Sequence, residues 1–221
     1  MTPELRKETS ELQLHKLGIR INLQLHVIEA DEEVMLRSAK ELEHRIIALS
    51  LIRRLDQPAI ETRNWDALEW LERQSLTTIL STQERNFLER VQSGQRLDDG
   101  SRPEHGALEF LAWSYRLTDK IEAKDLRVKV SRAPEDALLQ FADTPHAFPQ
   151  HCRLRPKAAL MNWSDLLYRL HWSVRHAALN GLAVPGNLDA IRVQEWHRAV
   201  NWLCRYDDED DWDHVSTETS A

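Results

Sequence analysis

The chain has 221 residues with an apolar content of 42%, which is sufficient for a packed core and argues against a disordered protein. The formal net charge is −7, but seven of the 36 acids lie beyond Tyr206 without a Lys or Arg, so the rest carries 29 acids against 29 bases. A neutral body lacks the broad basic field of nucleic-acid-binding proteins, and we expect no nucleic-acid partner.

The first predicted helix begins at Thr2-Pro3, a typical N-cap and first helical position, and ends at Gly18. The segment Ile19–Val27 then alternates strictly between apolar and polar residues. This pattern is typical of a half-buried strand, and we expect an extended chain or a minor β-ribbon there. Asp31 is expected to cap a long helix that continues to about Leu55.

Further helix starts are indicated by capping residues and prolines. They are Asn64, Ser81 (with Glu84 in a capping box), Pro103, Pro134 and Pro156. Two amphipathic helices close the chain, separated by Gly181 and Pro185-Gly186. We therefore predict a mainly α fold: a single helical domain of about seven to nine helices over residues 1–206.

The acidic tail, residues 207–221, is predicted to be partly disordered, because the like-charge run Asp207–Asp211 repels itself. Trp212 is a large apolar side chain, and we expect it to dock back on the helical body. The last residues, Ser216–Ala221, are expected to be loose.

Several classes of site and location are disfavoured. The glycine-rich phosphate loops and the common nucleophile motif are absent, so no cofactor is expected. His171 and His176 are five residues apart and point away from each other on a helix, which disfavours a metal site. No apolar run has the length of a membrane span, and Cys152 and Cys204 form no disulfide framework, so we expect a cytoplasmic protein.

The two C-terminal helices each place a charged residue in their apolar arc. On a helical projection of the first, Arg169, Ser173, His176 and Asn180 form a strip that is predicted to face solvent. The corresponding strip of the second is Gln194, His197, Arg198, Asn201 and Arg205. Arg175 falls in the apolar arc of the first helix, and Glu195 in that of the second.

A buried guanidinium without a partner is costly, so the pattern requires a carboxylate near Arg175. Glu195 is the first choice, with Asp165 or Asp213 as alternatives. Two interpretations remain open: a structural ion pair, or a pocket in which Arg175 binds an anion. The residues of this candidate cluster are Tyr168, His171, Trp172, Arg175, Glu195 and Asp213.

The motifs YRLHWSVRHAALNG, EWHRAVNWL and DWDHVSTET resemble a bacterial family, the domain of unknown function 4272. Weaker similarity extends to RKETSELQLHKLGI, EEVMLRSAKELEHRIIALSLI and LSTQERNFL, so it spans nearly the whole chain. The positions that match the family pattern are Tyr168, Arg169, Trp172, Arg175, Glu195, His197, Asn201, Trp202, Trp212 and Asp213.

Two positions depart from the family pattern. Gly106 stands where members usually carry Glu, and Trp196 stands where they usually carry Arg. The resemblance implies a polar network that has been simplified in this chain. If that network is an active site, it implies an impaired copy.

The function expected from the sequence is a non-enzymatic interaction or accessory protein that meets another bacterial protein through its acidic tail or a helical face. The alternative is an enzyme or small-anion binder that uses Tyr168, His171, Arg175 and Glu195. In that alternative His171 is the group whose ordinary pKa suits acid–base chemistry near neutrality.

Overall fold

The computed structural model describes residues 1–56, 67–95, 106–127, 140–144, 148–149 and 151–219. Its helices are α1 (Pro3–Lys16), α2 (Ala39–Asp56), α3 (Ala67–Arg73), α4 (Thr82–Gln92), α5 (Gly106–Ser114), α6 (Gln140–Asp143), α7 (Lys157–Leu179) and α8 (Ala190–Leu203). Within these ranges there is no strand, and the β-type pairing is a single antiparallel bridge between Arg127 and Leu188. The predicted mainly α fold is confirmed, whereas the predicted N-terminal ribbon is not formed.

Two predicted helix starts are confirmed by their capping geometry. The Thr2 hydroxyl accepts a hydrogen bond from the backbone N–H of Leu5 at 3.3 Å, and α1 is followed by Gly18 with a left-handed φ of +69°. At α4, Ser81 and Glu84 form the reciprocal capping box. Local sequence chemistry therefore fixes the ends of these helices.

The predicted start of the second helix at Asp31 is wrong. Helix α2 begins at Ala39, where the Ser38 backbone N–H donates to Glu41 Oε2 at 2.8 Å and the Glu41 N–H donates to Ser38 Oγ at 3.2 Å. The Asp31 carboxylate instead accepts a hydrogen bond from Arg6 of α1. Arg6, which is distant in sequence, therefore binds the carboxylate that was predicted to cap the helix. The predicted starts at Asn64, Pro103 and Pro134 lie outside the described residues.

The alternating segment after Gly18 follows the surface of α1 and α7 without pairing as a strand. Ile19 and Leu25 are buried, but Leu23 is 62% exposed, so the alternation does not mark one buried face. Basic side chains replace a neighbouring strand as hydrogen-bond donors. Lys7 donates to the carbonyls of Leu23 at 2.8 Å and Leu25 at 2.7 Å.

Helix α7 packs on α1 and on α8. Helix α8 also packs on α5, and α2 packs on α4, α5 and α6. Where α5, α7 and α8 meet, four aromatic rings lie with centroids 5.5–6.3 Å apart: Phe110, Trp113, Trp163 and Trp196. These tryptophans belong to the core, and they hold the two C-terminal helices against α5.

Trp212 docks on the helical body, as predicted. Its side chain is 4% exposed, and its ring meets the Trp202 ring edge to face at a centroid distance of 5.7 Å. The guanidinium carbons of Arg45 and Arg198 lie 4.6 and 4.7 Å from the Trp212 ring centroid. The indole therefore has aromatic and cationic neighbours that stabilise its burial.

The acidic residues that follow Tyr206 make contacts with the helical body. Asp210 pairs with Arg37 at 3.0 Å and with Arg205 at 2.8 Å, and Arg37 also donates to the Glu209 carbonyl at 2.6 Å. Thr219 is buried, so the chain remains packed on the body well beyond the acidic run. The prediction of a loose segment after Ser216 did not include the contact between Arg175 and Thr219. Residues 220–221 lie outside the described part of the chain.

Among the described helices, none combines the length and the apolar character that crossing a bilayer requires.

Candidate functional site

Arg175 and Glu195 are not brought together, so the predicted ion pair is wrong. Arg175 is half-buried near the end of α7, where its Nη1 lies 3.4 Å from Thr219 Oγ1. Glu195 is buried on α8 and pairs with Arg198 at 2.9 Å. Its Cβ lies 3.0 Å from the position that a Cβ at Gly106 would occupy, so this face of α8 points toward α5. A helical projection gives angles on one helix but does not show which neighbour each arc meets.

The strips predicted to face solvent are only partly exposed. On α7, Arg169 and Ser173 are each 2% exposed, and on α8 His197 and Asn201 are 2% and 6% exposed. Asn180 and Gln194 are exposed, as predicted. Both helices are covered on more than one side, which a single amphipathic pattern does not predict. The polar groups of the core therefore include residues that the projection had placed in water.

The buried ion pair of α7 is formed by Asp165 and Arg169, whereas the sequence pattern had placed Arg169 in solvent and offered Asp165 only as an alternative partner of Arg175. Arg169 Nε donates to Asp165 Oδ2 at 2.9 Å, and Nη2 donates to Oδ1 at 2.8 Å, while the carboxylate is 0% exposed. The guanidinium also contacts Glu11 of α1 at 3.6 Å and donates to the His26 carbonyl at 3.0 Å. This bidentate pair ties α7 to α1 and to the segment that follows α1.

Arg6 and Lys157 fasten the next part of that segment. Arg6 is 1% exposed, and it donates to the Glu29 carbonyl at 3.1 Å as well as to Asp31. The Lys157 ammonium donates to the carbonyls of Asp31 at 2.8 Å and Val34 at 2.7 Å. Arg6 and Lys157 therefore donate their hydrogen bonds to backbone carbonyls and to Asp31, which favours a structural role for both.

His171 of α7 and His197 of α8 form a second buried polar group. Their Nδ1 atoms lie 3.0 Å apart, so one ring donates and the other accepts. Burial, together with the charge of Arg175, lowers the pKa of His171 to about 4. Burial, together with His171 and Arg175, lowers the pKa of His197 to about 3. Both rings are neutral at physiological pH.

The C-terminal segment closes over this histidine pair. Asn201 Nδ2 lies 3.3 Å from His197 Nε2 and donates to the Ser216 carbonyl at 2.9 Å. The Thr217 backbone hydrogen-bonds with His171. A histidine pair covered in this way does not reach a substrate from solvent without movement of the segment.

The other members of the predicted cluster are dispersed. Tyr168 is half-buried beside His197, with ring centroids 6.3 Å apart. Trp172 is buried and stacks on His176 at 4.8 Å. Asp213 lies at the start of α4, where its carboxylate accepts a hydrogen bond from the Gln83 N–H at 2.9 Å. The six residues do not form one site.

Three of the cavities formed by described residues are large enough to consider as sites, and none of these is lined by Tyr168, His171, Trp172, Arg175 or Glu195. One of about 240 Å³ lies beside Trp212 and is lined by Arg37, Arg45 and Asp210. A groove of about 710 Å³ runs along α1, and we call it the α1 groove. A pocket of about 200 Å³ lies under Asp207 and Asp208, and we call it the acidic pocket.

The α1 groove has an apolar floor and a charged rim. Trp163 and Leu166 of α7 form its base, and Leu12 and Leu17 of α1 line one side. The opposite side is the 3₁₀ turn Ala123–Leu126 with the residues just before it. Leu12 is 53% exposed, so apolar surface is accessible at the mouth of the groove.

The rim of the α1 groove carries Lys16, Glu122 and Lys124. Hydrogen bonds from Lys120 and Lys124 lower the pKa of Glu122 to about 2, so this carboxylate is ionised and already paired. Lys16 makes no ion pair with any described residue. The groove thus offers apolar contact area together with one available positive charge.

Sequence reasoning did not identify the groove or the acidic pocket, because both are assembled from distant segments. The α1 residue Leu12 contributes to the groove, and the structure leaves this apolar side chain 53% exposed. Regarding metal binding, no group of three potential ligand side chains is assembled within the described ranges.

The chain belongs to the family described as "Domain of unknown function (DUF4272)", whose model matches residues 6–215. The resemblance carried by the C-terminal motifs is thereby confirmed. Comparison with curated proteins and with solved structures found no match for this chain. The family description names no activity.

Proposed function

We propose that this protein is a non-enzymatic interaction module that binds an amphipathic helix of a partner protein in the α1 groove. The observation that carries the proposal is the groove itself: about 710 Å³ of space with Trp163 and Leu166 at its base and Leu12 at its mouth. Helix-in-groove recognition places apolar side chains at helical spacing into such a cleft.

The positive charge at the rim indicates that the partner segment carries a negative charge. Lys16 is exposed and without an ionic partner among the described residues, and Lys124 lies across the groove from it. A partner helix with apolar residues on one face and a carboxylate beside them would meet both the floor and Lys16. The acidic tail is a weaker candidate for the binding surface, because Asp210 and Asp213 already have partners in the body.

The alternative of an enzyme or anion binder built on Tyr168, His171, Arg175 and Glu195 has less support. His171 is buried under the C-terminal segment, and Glu195 faces α5 rather than Arg175. A ligand pocket requires convergent polar groups around open space, and these side chains do not converge.

Residence in the bacterial cytoplasm is part of the same proposal. Cys152 and Cys204 are both free thiols in the structure. Free cysteines are typical of a reducing compartment and support this location.

The test uses a photo-crosslinking amino acid at position 12, expressed in the native host. The matched control carries the same amino acid at Leu179, which is 81% exposed on the far end of α7. We expect one discrete adduct from position 12 and none from position 179. The Leu12→Glu protein should fold, because the site is exposed, and it should fail to compete for the adduct where wild type competes.

A second arm tests the charge. Lys16→Glu should weaken competition for the same adduct, and a partner peptide with its carboxylate changed to lysine should restore it. Identical crosslinking at positions 12 and 179, or equal competition by wild type and Leu12→Glu, would overturn the proposal.

A further inference from the structure

The acidic pocket is a second site, distinct from the α1 groove, and its walls combine three kinds of group. Carboxylates come from Glu29 and Glu33 on one side and from Asp207 and Asp208 on the other. Sulfur atoms come from two helices that meet below them. Neutral polar atoms lie at the buried end.

The four carboxylates have no ion-pair partner among the described residues, since no salt bridge involves any of them. Arg205 is the cation of the pocket lining, but its guanidinium is engaged with Glu41 and Asp210, each at 2.8 Å. The pocket therefore concentrates negative charge that the protein itself does not neutralise at the site.

Two further cations approach the pocket from below. Arg6 and Lys157 both act electrostatically on the Cys204 thiol at its floor. Arg6 is paired with Asp31, and Lys157 is bound to the carbonyls of Asp31 and Val34. Their charges are held by other groups and do not fill the space between the carboxylates.

The floor of the pocket is apolar and polarisable. Cys204 Sγ, directly after α8, and Met161 Sδ of α7 lie 3.8 Å apart. Burial, with a contribution from Glu29, raises the pKa of the Cys204 thiol to about 12, so it remains protonated. Neutral sulfur atoms in this position would contact the alkyl part of a ligand.

Two largely buried polar side chains at the pocket each have an oxygen atom without a hydrogen-bond partner among the described residues. Ser164 is 8% exposed and lines the pocket, and its hydroxyl makes no hydrogen bond with a described residue. Asn201 is 6% exposed, and its amide nitrogen is bound to the Ser216 carbonyl, but its side-chain oxygen accepts no bond from the described residues. Both oxygens are accessible from the pocket, where they can accept hydrogen bonds from a ligand with N–H donors.

We propose that the acidic pocket binds a primary alkylammonium group. The ammonium would sit between the carboxylates and donate to Ser164 Oγ and Asn201 Oδ1, with its methylene chain against Met161 and Cys204. A volume of about 200 Å³ suits a small diamine or one lysine side chain. The same chemistry could come from either source, and the experiment distinguishes them.

Methionine methyl NMR provides a local readout, because the chain has three methionines. Met161 and Met35 line the pocket, whereas Met1 lies at the N-terminus and serves as an internal reference. The probes are 1,4-diaminobutane and N-acetyl-lysine-methylamide. Tetramethylammonium carries the same charge without N–H donors and is the control ligand.

We expect 1,4-diaminobutane or the lysine derivative to shift the Met161 and Met35 signals but not the Met1 signal. Tighter binding of the diamine identifies a free amine as the ligand, and equal or tighter binding of the lysine derivative identifies a protein side chain. Tetramethylammonium should bind about tenfold more weakly than the tighter of the two.

The variant Asp207→Asn/Asp208→Asn should weaken binding by about tenfold or more, because it removes two of the four charges. Ser164→Ala should weaken binding of the ammonium without affecting tetramethylammonium. Glu4→Gln, on an exposed part of α1, is the matched control and should leave the affinity unchanged. If neither amine shifts Met161 at millimolar concentration, or if the Asp207/Asp208 variant binds as well as wild type, the proposal is wrong.

Discussion

His171 and His197 face each other across the contact between α7 and α8, with Nδ1 atoms 3.0 Å apart and ring planes at 75°. Neither ring can accept a second proton without placing a charge in the core beside Arg175. The C-terminal segment contributes the Thr217 backbone and, through Asn201, the Ser216 carbonyl to this group. Protonation of either histidine is therefore coupled to the packing of the C-terminal segment that contains Ser216 and Thr217.

Acid destabilisation follows from this pair. The folded-state pKa values of about 4 and about 3 lie below the unfolded value of 6.5. As the pH falls below about 6.5, the unfolded chain gains protons that the folded one does not. The free energy of unfolding should therefore fall by about 1.4 kcal/mol per pH unit for each histidine, until the pH reaches the folded pKa.

Urea denaturation between pH 6.5 and pH 5 measures this slope. His171→Gln removes one of the two titrations and should reduce the slope, whereas His15→Gln, at an exposed position of α1, should not. A slope that is the same in wild type and in His171→Gln would contradict the assignment.

The Asp165–Arg169 pair gives a prediction for stability. Asp165→Ala should destabilise the fold by about 3–5 kcal/mol, because Arg169 stays buried with an incomplete set of partners. Asp165→Leu combined with Arg169→Met should cost less, since no charge is then left in the core. Chemical denaturation measures both.

Glu69→Ala is the matched control for that experiment. Glu69 and Arg73 form an exposed ion pair at 3.8 Å, with both side chains 62% exposed. Exposed pairs contribute about 0–1 kcal/mol, so this change should be small. A cost for Asp165→Ala no larger than that for Glu69→Ala would show that the buried pair is unimportant.

Trp212 gives a prediction for the acidic tail. Trp212→Ala should destabilise by about 3–5 kcal/mol, because it leaves a cavity between Trp202, Arg45 and Arg198. Truncation after Tyr206 should lower the melting temperature as well. Met35→Ala, at a residue that is 74% exposed, should change stability little. An unchanged melting temperature in the truncated protein would show that the tail does not stabilise the body.

Gly106 gives a prediction about packing between α5 and α8. A Cβ at this position would lie 3.0 Å from Glu195 Cβ and 3.5 Å from Arg192 Cα. Gly106→Ala should therefore destabilise the fold by about 1 kcal/mol or more, despite the higher helix propensity of alanine. Gly106→Val should cost more than Gly106→Ala in thermal or chemical denaturation. A stabilising Gly106→Ala would show that the helices can separate freely.

The missing side chain at Gly106 also has a physical meaning. A glutamate at this position would meet Glu195 at close range, so the short distance between α5 and α8 depends on the missing side chain. Trp196 is 1% exposed and belongs to the aromatic cluster with Phe110 and Trp163. Both residues therefore favour close packing in this region.

Local sequence determined where helices α1 and α4 begin, because their capping side chains act on residues only three or four positions away. Thr2 and Ser81 cap their helices through such local contacts, and Gly18 follows α1 with its left-handed φ. The mainly α fold and the docking of Trp212 also followed from composition and apolar character. These outcomes depend on the chemistry of neighbouring residues or on the cost of leaving a large apolar side chain in water.

Tertiary structure alone decided where the polar groups lie. Asp31 binds Arg6 and caps no helix, and Arg169 lies in the core with Asp165 instead of facing solvent. The carbonyls of the alternating segment are satisfied by Lys7 and Arg169, which no period-two pattern can reveal. A helical projection gives the angle of each side chain but not its neighbours, and in this protein α7 has neighbours on more than one side. The burial of a charged side chain depends on those neighbours, because only they supply the partners that replace water.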